Sequence, residues 1–167
     1  MIIPLSADLF AIRGLQNVGP KLALWRNDWH ERREKAPSGL DFNLPEGKMR
    51  PLGYVVSRFS VLAGGSVWAF QKWLDRAPAT YRAAIEGGKL PRGVGIENDD
   101  RRLARMKDYR SLMPMAQEAR KPMFLLKPAD GAIGGHQAAV SACYEDFRRL
   151  TQTIMTKAGL AVEALEF

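Results

Sequence analysis

Short apolar runs alternate with amphipathic helical segments along this chain, and that order constrains its fold more than any other feature. Ile2, Ile3 and Leu5 form the first run, and Leu52 with Tyr54–Val56 forms a second that is rich in strand-favouring residues. Met123–Leu126 forms a third. Short runs of this kind, separated by helices, are typical of strands in a parallel sheet. We therefore predict an α/β fold, an incomplete parallel-sheet layer of about three strands with helices packed on the sheet.

Helical periodicity predicts what lies between these strands. Ser6 or Asp8 can cap a long amphipathic helix over residues of about 9–35, and Gly19-Pro20 should kink this helix or mark its true start. Shorter helical segments are expected after Ser66, from Pro78 to Gly87-Gly88, and over Ser111–Arg120. The last helix shows the clearest i, i+3, i+4, i+7 pattern, formed by Val140, Cys143, Tyr144, Phe147, Leu150 and Ile154.

Two glycine- and proline-containing stretches, residues 37–51 and 87–100, are predicted to be surface loops of a single domain spanning residues 1–167. The charged segment Asp99–Arg110 that follows has two interpretations. Its arginines and lysine could line a phosphate backbone, but interspersed aspartates favour a solvated helix. We therefore expect a short solvated helix in this segment.

Composition restricts the classes of function. The chain has no apolar stretch of membrane-spanning length and no basic segment ahead of an apolar one, so we expect a cytoplasmic protein without membrane contact. Its single cysteine, Cys143, and its widely spaced histidines do not form a zinc motif. The net charge of +7 would attract polyanions, which leaves nucleic acid as a partner class without requiring it.

A phosphate-binding loop of the form G-x-x-x-x-G-K-[ST] is absent. Gly47-Lys48 and Gly88-Lys89 are the only Gly-Lys pairs, and each is followed by an apolar residue in place of the hydroxyl that holds magnesium. No apolar strand ends in the aspartate of a Walker B motif. The stretch from Asp130 to Gly135 could place a ligand at the amino terminus of the last helix, but we favour a connecting turn.

Tryptophans offer a further possibility for binding. Stacking against nucleobases is one role for side chains of this type, but tryptophans at helical spacing are usually core residues. We expect core positions for all of them, namely Trp25, Trp29, Trp68 and Trp73.

Three stretches together resemble the ParA family of partition ATPases, the deviant Walker group that includes MinD-like proteins. Ile2–Leu15 is similar to the family's strand after switch II with its P-x-x-x-x-F-x-x-x-G-L turn, and Pro51–Val56 is similar to a following strand. The most specific stretch is Leu112–Phe124, continuing through Ala129–Gly134 to Tyr144–Phe147. The resemblance covers essentially the whole chain. It implies part of a P-loop NTPase-like domain, in which both Walker motifs and the switch regions would precede Met1.

The resemblance implies plasmid or chromosome partitioning, with ATP and magnesium as cofactors that this chain alone is not expected to bind. It implies nonspecific DNA and a ParB-type protein as partners, and a homodimer or an association that completes the fold. The positions near the nucleotide base would be Ser57, Arg58, Lys127, Pro128, Ala129 and Asp130. The candidates for a DNA-facing surface are Arg148, Arg149 and Lys157.

Two functions of different classes remain open from the sequence. In one, a separate polypeptide or a longer gene product supplies the phosphate-binding half of an ATPase. In the other, the chain is a stand-alone module that binds DNA or protein. Met1 directly precedes an apolar strand, which favours a fragment of a longer domain. Nucleotide affinity would discriminate between the two.

The purified chain should not hydrolyse ATP. Without the lysine and the magnesium-binding hydroxyl, the transferred phosphate lacks the charges that stabilise its transition state, a loss of several kcal/mol, on the order of 3 or more. The measurement is magnesium-dependent phosphate release compared with a no-protein control. Turnover above that control would contradict the expectation.

Overall fold

The computed structural model describes residues 1–59, 61–62, 65–66 and 68–161, with side chains described for residues 1–57 and 71–161. It has an α/β fold, as the alternation of apolar runs predicts. The strands are β1 (Ile2–Ser6), β2 (Gly53–Phe59), β3 (Val61–Leu62), β4 (Gly65–Ser66) and β5 (Arg102–Lys107). β1, β2 and β5 form a three-stranded parallel sheet in that order, while the two-residue strands β3 and β4 pair antiparallel with each other.

Helices connect and cover the strands. They are α1 (Leu9–Glu34), α2 (Trp68–Leu74), α3 (Ala77–Tyr81), α4 (Met113–Ala119) and α5 (Gly135–Ala158). α3 continues into a π-helical turn, Arg82–Glu86, and short 3-10 turns occur at Arg110–Leu112, Met123–Leu125 and Pro128–Asp130. Residues 37–51 and 88–100 contain no helix or strand. Within the described ranges, no helix combines the length and apolar character needed to cross a membrane.

α1 begins where the sequence predicts a cap. Asp8 is the N-cap, and its Oδ1 accepts a hydrogen bond of 2.8 Å from the backbone N–H of Ala11. The helix continues through Gly19 and Pro20, so a start at this pair is excluded. Gly19 allows close packing instead, because a Cβ there would lie 1.8 Å from the carbonyl oxygen of Ala84 in the π-helical turn.

The sheet is covered on both faces. Alternate residues of β2 point to opposite sides, so that Tyr54 and Val56 pack with α1 and α3, whereas Val55 packs with α5. The α1 face buries the larger apolar cluster, which includes Leu15 and Leu22. The α5 face is formed by Ile2, Leu52, Val55, Leu103, Ala104, Met106, Phe147, Leu150 and Ile154. Two covered faces explain why the β2 run is continuously apolar.

The predicted third strand is wrong. Met123–Leu125 forms a 3-10 turn, and the backbone extends only at Leu126. Pro122 and Pro128 flank this segment, and Leu125 is 52% exposed. The segment packs in a separate cluster with α4 and the first half of α5, around the buried side chains of Leu112 and Cys143.

The third strand of the sheet is β5, which lies inside the segment predicted to be a solvated helix. That prediction is also wrong. Leu103 and Met106 are buried, and the intervening Arg105 keeps an ion pair with Glu97. Paired arginines allow this highly charged sequence to occupy a sheet edge.

A buried polar network fixes the connection between α3 and β5. The side chain of Asp99 is fully buried and accepts from the Tyr54 hydroxyl at 2.7 Å and from Arg82 Nη2 at 2.8 Å. Arg82 Nη2 also contacts Asp100 at 2.5 Å. Burial acts to raise the pKa of Asp100, but the bond from Arg82 and the charge of Arg101 outweigh it and lower that pKa. Burial, followed by the bond to Asp99, raises the pKa of Tyr54.

Asp99→Asn should destabilise the chain by about 3 kcal/mol, because a buried Arg82 guanidinium would lose its buried counter-charge. Asp100→Asn is the matched control: it contacts the same nitrogen, but its side chain is 63% exposed. We expect a loss under about 1 kcal/mol there. The lowered pKa of Asp100 adds stability that is present at neutral pH and is lost as pH falls below the usual carboxyl range. Urea unfolding measures the free energy of unfolding of both variants. Equal losses of that free energy would contradict a stabilising role for the buried Arg82–Asp99 pair.

Candidate nucleic-acid interface

A polar groove runs between the outer edge of the sheet and the last helix. It consists of two adjoining depressions of about 410 and 240 Å³, which share Arg149 and Thr153. We call it the β5–α5 groove. Its lining residues are Leu103, Ala104, Arg105, Asp146, Arg149, Leu150, Gln152, Thr153, Thr156 and Lys157.

The helical period of α5 builds this groove. Residues at 149, 153 and 156–157 follow one another at steps of three or four, so they lie along one stripe of the helix. Leu150 and Ile154 lie on the neighbouring stripe and pack against the sheet. The apolar stripe therefore fixes how far the polar one stands from β5.

The positively charged side chains in the groove differ in the contacts that they form. Arg105 forms an ion pair with Glu97, and the ammonium of Lys157 donates to the backbone carbonyl oxygen of Asp100. The backbone oxygen of Arg149 accepts a hydrogen bond of 2.9 Å from the Thr153 hydroxyl. The guanidinium of Arg149 is exposed and, among the residues that the structure describes, forms no hydrogen bond or ion pair. Its guanidinium can therefore bind an anion without first breaking an internal contact.

An acidic side chain marks the end of the groove nearer β5. Asp146 accepts a hydrogen bond of 2.7 Å from the Tyr109 hydroxyl. Burial and that bond raise the pKa of Tyr109, so the phenol keeps its proton at neutral pH. This end is consequently less favourable for phosphate than the end lined by Arg149 and Lys157.

The structure separates the three sequence candidates for a DNA-facing surface. It brings Arg149 and Lys157 together in the β5–α5 groove. Arg148 is outside it and contacts Glu145, with Nη2 to Oε2 at 2.9 Å. Sequence reasoning missed the contributions of Gln152, Thr153 and Thr156, and the polar stripe at helical spacing beside Arg149 is the signal that could have identified them.

The residues expected near a nucleotide base lie in separate parts of the structure. The Ser57 hydroxyl donates to the backbone oxygen of Leu5 at 3.3 Å, across the β1–β2 pair. The side chain of Arg58 lies outside the described residues. Lys127, Pro128, Ala129 and Asp130 form a turn that follows the 3-10 segment instead of a sheet strand.

Asp130 stabilises that turn. Its carboxylate accepts from Lys121 Nζ at 2.8 and 2.9 Å and from the backbone N–H of Lys127 at 2.9 Å. These bonds lower the pKa of Asp130, which is therefore ionised at neutral pH. The carboxylate holds the turn and is already saturated with donors.

The two Gly-Lys pairs of the described residues do not form a phosphate-binding loop. Lys48 and Lys89 follow glycines, but neither begins a helix, and Lys48 forms an ion pair of 2.6 Å with Glu46. In the part of the chain that the structure describes, no group of three or more His, Cys, Asp or Glu side chains could hold a metal ion. No family model, curated protein or solved structure matches the chain.

One of the tryptophans departs from its expected core position. Trp25 is 51% exposed, while Trp29 and Trp73 are partly buried. Trp73 carries the guanidinium of Arg76 over its ring at 4.8 Å. The side chain of Trp68 lies outside the described residues. The expectation of a core position is therefore wrong for Trp25.

Proposed function

We propose that this chain binds nucleic acid nonspecifically through the β5–α5 groove, as part of a ParA-type partition system. The observation that carries the proposal is the exposed guanidinium of Arg149, which forms no hydrogen bond or ion pair among the described residues. It lies in the same depression as the side chains of Gln152, Thr156 and Lys157. Arginine, lysine, threonine and glutamine are common donors to phosphate oxygens.

The groove favours binding to the backbone over sequence reading. None of its lining residues is aromatic, so it offers no ring for a base to stack upon. Contact to phosphates by Arg149 and Lys157 releases counterions, and the net charge of +7 attracts the polyanion at longer range. Affinity should accordingly depend on salt much more than on base sequence.

The assignment to a ParA-type system is supported by the resemblance of the sequence and by a parallel sheet with helices on both faces. In this proposal the phosphate-binding part of the ATPase is supplied by chain beyond these residues or by another polypeptide. A ParB-type partner belongs to the same proposal.

An association that completes the fold is the second candidate, and the position of β1 favours it. β1 pairs with β2 on one side only within the described sheet. Phe10, close after this strand, is 85% exposed. An unpaired strand edge is suited to strand addition by a second copy or by a complementing chain, and Phe10 adds exposed apolar surface on the helix that follows. Sedimentation of the purified chain tests this, since a well-dispersed monomer at all concentrations would argue against it.

Arg149→Gln should weaken binding to a random-sequence DNA duplex by about 3- to 10-fold at low salt and reduce the slope of log affinity against log salt by about one. Arg148→Gln is the matched control: the same substitution on the next residue, outside the groove, removes the same net charge. Fluorescence anisotropy over a salt series measures both variants. The proposal predicts a clear difference between them.

Equal effects of the two substitutions would show that only net charge matters, and would exclude the groove as the binding site. Undetectable binding of the unaltered chain at low salt would exclude the function itself. Lys157→Gln should weaken binding less than Arg149→Gln, since both residues line the same depression but the Lys157 ammonium also donates to the backbone oxygen of Asp100.

A further inference from the structure

A second concave site lies on α1, far along the chain from the β5–α5 groove. It has a volume of about 300 Å³ and is lined by Trp25, Asp28, Trp29, Arg32, Gly47 and Met49. We call it the α1 groove. This volume is at the lower end of the range for small-molecule sites. Its surface is mainly apolar, contributed by the two indoles and Met49, with the two charged side chains among its lining residues.

The walls of the α1 groove are held in place by the loop before β2. Trp29 Nε1 donates to the carbonyl oxygen of Pro45 at 2.9 Å. Arg26 donates to the carbonyl oxygens of Lys48 and Met49, each at 2.9 Å. These bonds fix the loop against the second half of α1, and they use the Trp29 N–H, so that the ring presents only apolar surface to the groove.

Gly47 makes this close approach possible. Its φ is +67°, and a Cβ at this position would lie 1.7 Å from Cδ1 of Trp29. Only glycine combines that backbone conformation with direct contact to the indole. The loop therefore contributes a backbone wall to the groove.

Asp28 and Arg32 are four residues apart on α1, the spacing at which an acidic and a basic side chain pair readily. The next such pairs along the helix are closed: His30 contacts Glu34 at 3.2 Å, and Glu31 contacts Lys35 at 3.4 Å. The side chains of Asp28 and Arg32 form no ion pair or hydrogen bond within the described residues, and both residues are exposed. Each charge is therefore available to a ligand.

We propose that the α1 groove binds a zwitterionic α-amino acid with a large apolar side chain. The ligand's ammonium contacts Asp28, its carboxylate contacts Arg32, and its side chain packs against Trp25, Trp29 and Met49. A ligand with only a positive charge would be repelled by Arg32, and one with only a negative charge by Asp28. Glycine betaine, a compact zwitterion, has no N–H to donate to Asp28 and no large apolar side chain to cover the indoles. This site is independent of the proposed nucleic-acid binding.

Isothermal titration calorimetry with L-phenylalanine tests the proposal on the intact chain. We expect saturable binding with a Kd between about 10 μM and 1 mM. N-acetyl-L-phenylalanine lacks the ammonium, and L-phenylalanine amide lacks the carboxylate. Each should bind about 3- to 10-fold more weakly, because each loses one charge-assisted contact at a partly exposed site. L-alanine should bind at least about 10-fold more weakly, since it leaves the apolar surface uncovered.

Substitutions at Asp28 and Arg32 test which side chain contacts each end of the ligand. Asp28→Asn should weaken L-phenylalanine binding by about 3- to 10-fold and abolish the difference between L-phenylalanine and its N-acetyl form. Arg32→Gln should also weaken L-phenylalanine binding by about 3- to 10-fold, and it should abolish the difference between L-phenylalanine and its amide. Both residues are on the surface, so the variants are expected to fold. Glu31→Gln is the control, an exposed carboxylate on the same helix that is outside the groove, and it should leave all affinities unchanged.

Several results would overturn the proposal. Absence of saturable heat at about ten times the upper Kd bound would exclude the site. Equal affinities for all three phenylalanine derivatives would reduce the groove to an apolar patch without charge recognition. Binding of glycine betaine in preference to L-phenylalanine would identify a cation site enclosed by aromatic rings instead.

Discussion

The ion pair between Arg82 and Asp99 is the interaction on which the arrangement of the other elements depends. Both side chains are almost completely removed from water, which costs several kcal/mol per ion, on the order of 5, unless each finds partners. Tyr54, from the middle strand, supplies one of those partners. The pair consequently fixes three things together: the turn after α3, the start of β5 and the centre of the sheet.

Neighbouring contacts extend this constraint to α5. Lys157, in the last turn of that helix, donates to the backbone oxygen of Asp100, the residue after Asp99. The end of the β5–α5 groove is thus attached to the buried network. Tyr81 packs its ring against Tyr54 with centroids 5.3 Å apart, but its buried hydroxyl has no hydrogen-bond partner in the described part of the chain, and burial raises its pKa to about 12. Tyr81 therefore stabilises the network through packing, against the cost of an unpaired hydroxyl.

The sequence correctly predicts those elements whose residue pattern is typical of only one kind of secondary structure. β1, β2, α1 and α5 were predicted because the first two are short apolar runs and the helices bury a stripe of residues. β5 was missed because an edge strand needs apolar residues only where it meets α5, and its arginines gave it the composition of a solvated helix. Met123–Leu126 was wrongly predicted for the opposite reason: the run is apolar, but Met123, Phe124 and Leu126 pack in the cluster with α4 and α5, and Leu125 is 52% exposed. The pattern of a single sequence indicates that a residue is buried, but it does not identify the element that packs against it.

The same limit applies to the candidate sites. Arg148 and Arg149 are equivalent by sequence, yet a rotation of about 100° between neighbouring helical residues places one beside Glu145 and the other in the groove. Trp25 and Trp29 share the spacing of core residues, and only the position of the loop around Gly47 shows that they line a cavity.

The two sites are separable because the sheet lies between the helices that carry them. α1 packs on one face, through Leu15 and Leu22, and α5 packs on the other, through Leu150 and Ile154. A ligand in the α1 groove therefore has no direct contact with the lining of the β5–α5 groove, and surface substitutions at one site leave the residues of the other in place. The middle strand contacts both sides of the sheet, since Tyr54 packs with the α1 face and Val55 with the α5 face. The two grooves thus lie on opposite sides of one sheet and share no lining residue, which favours two independent binding events over a coupled one.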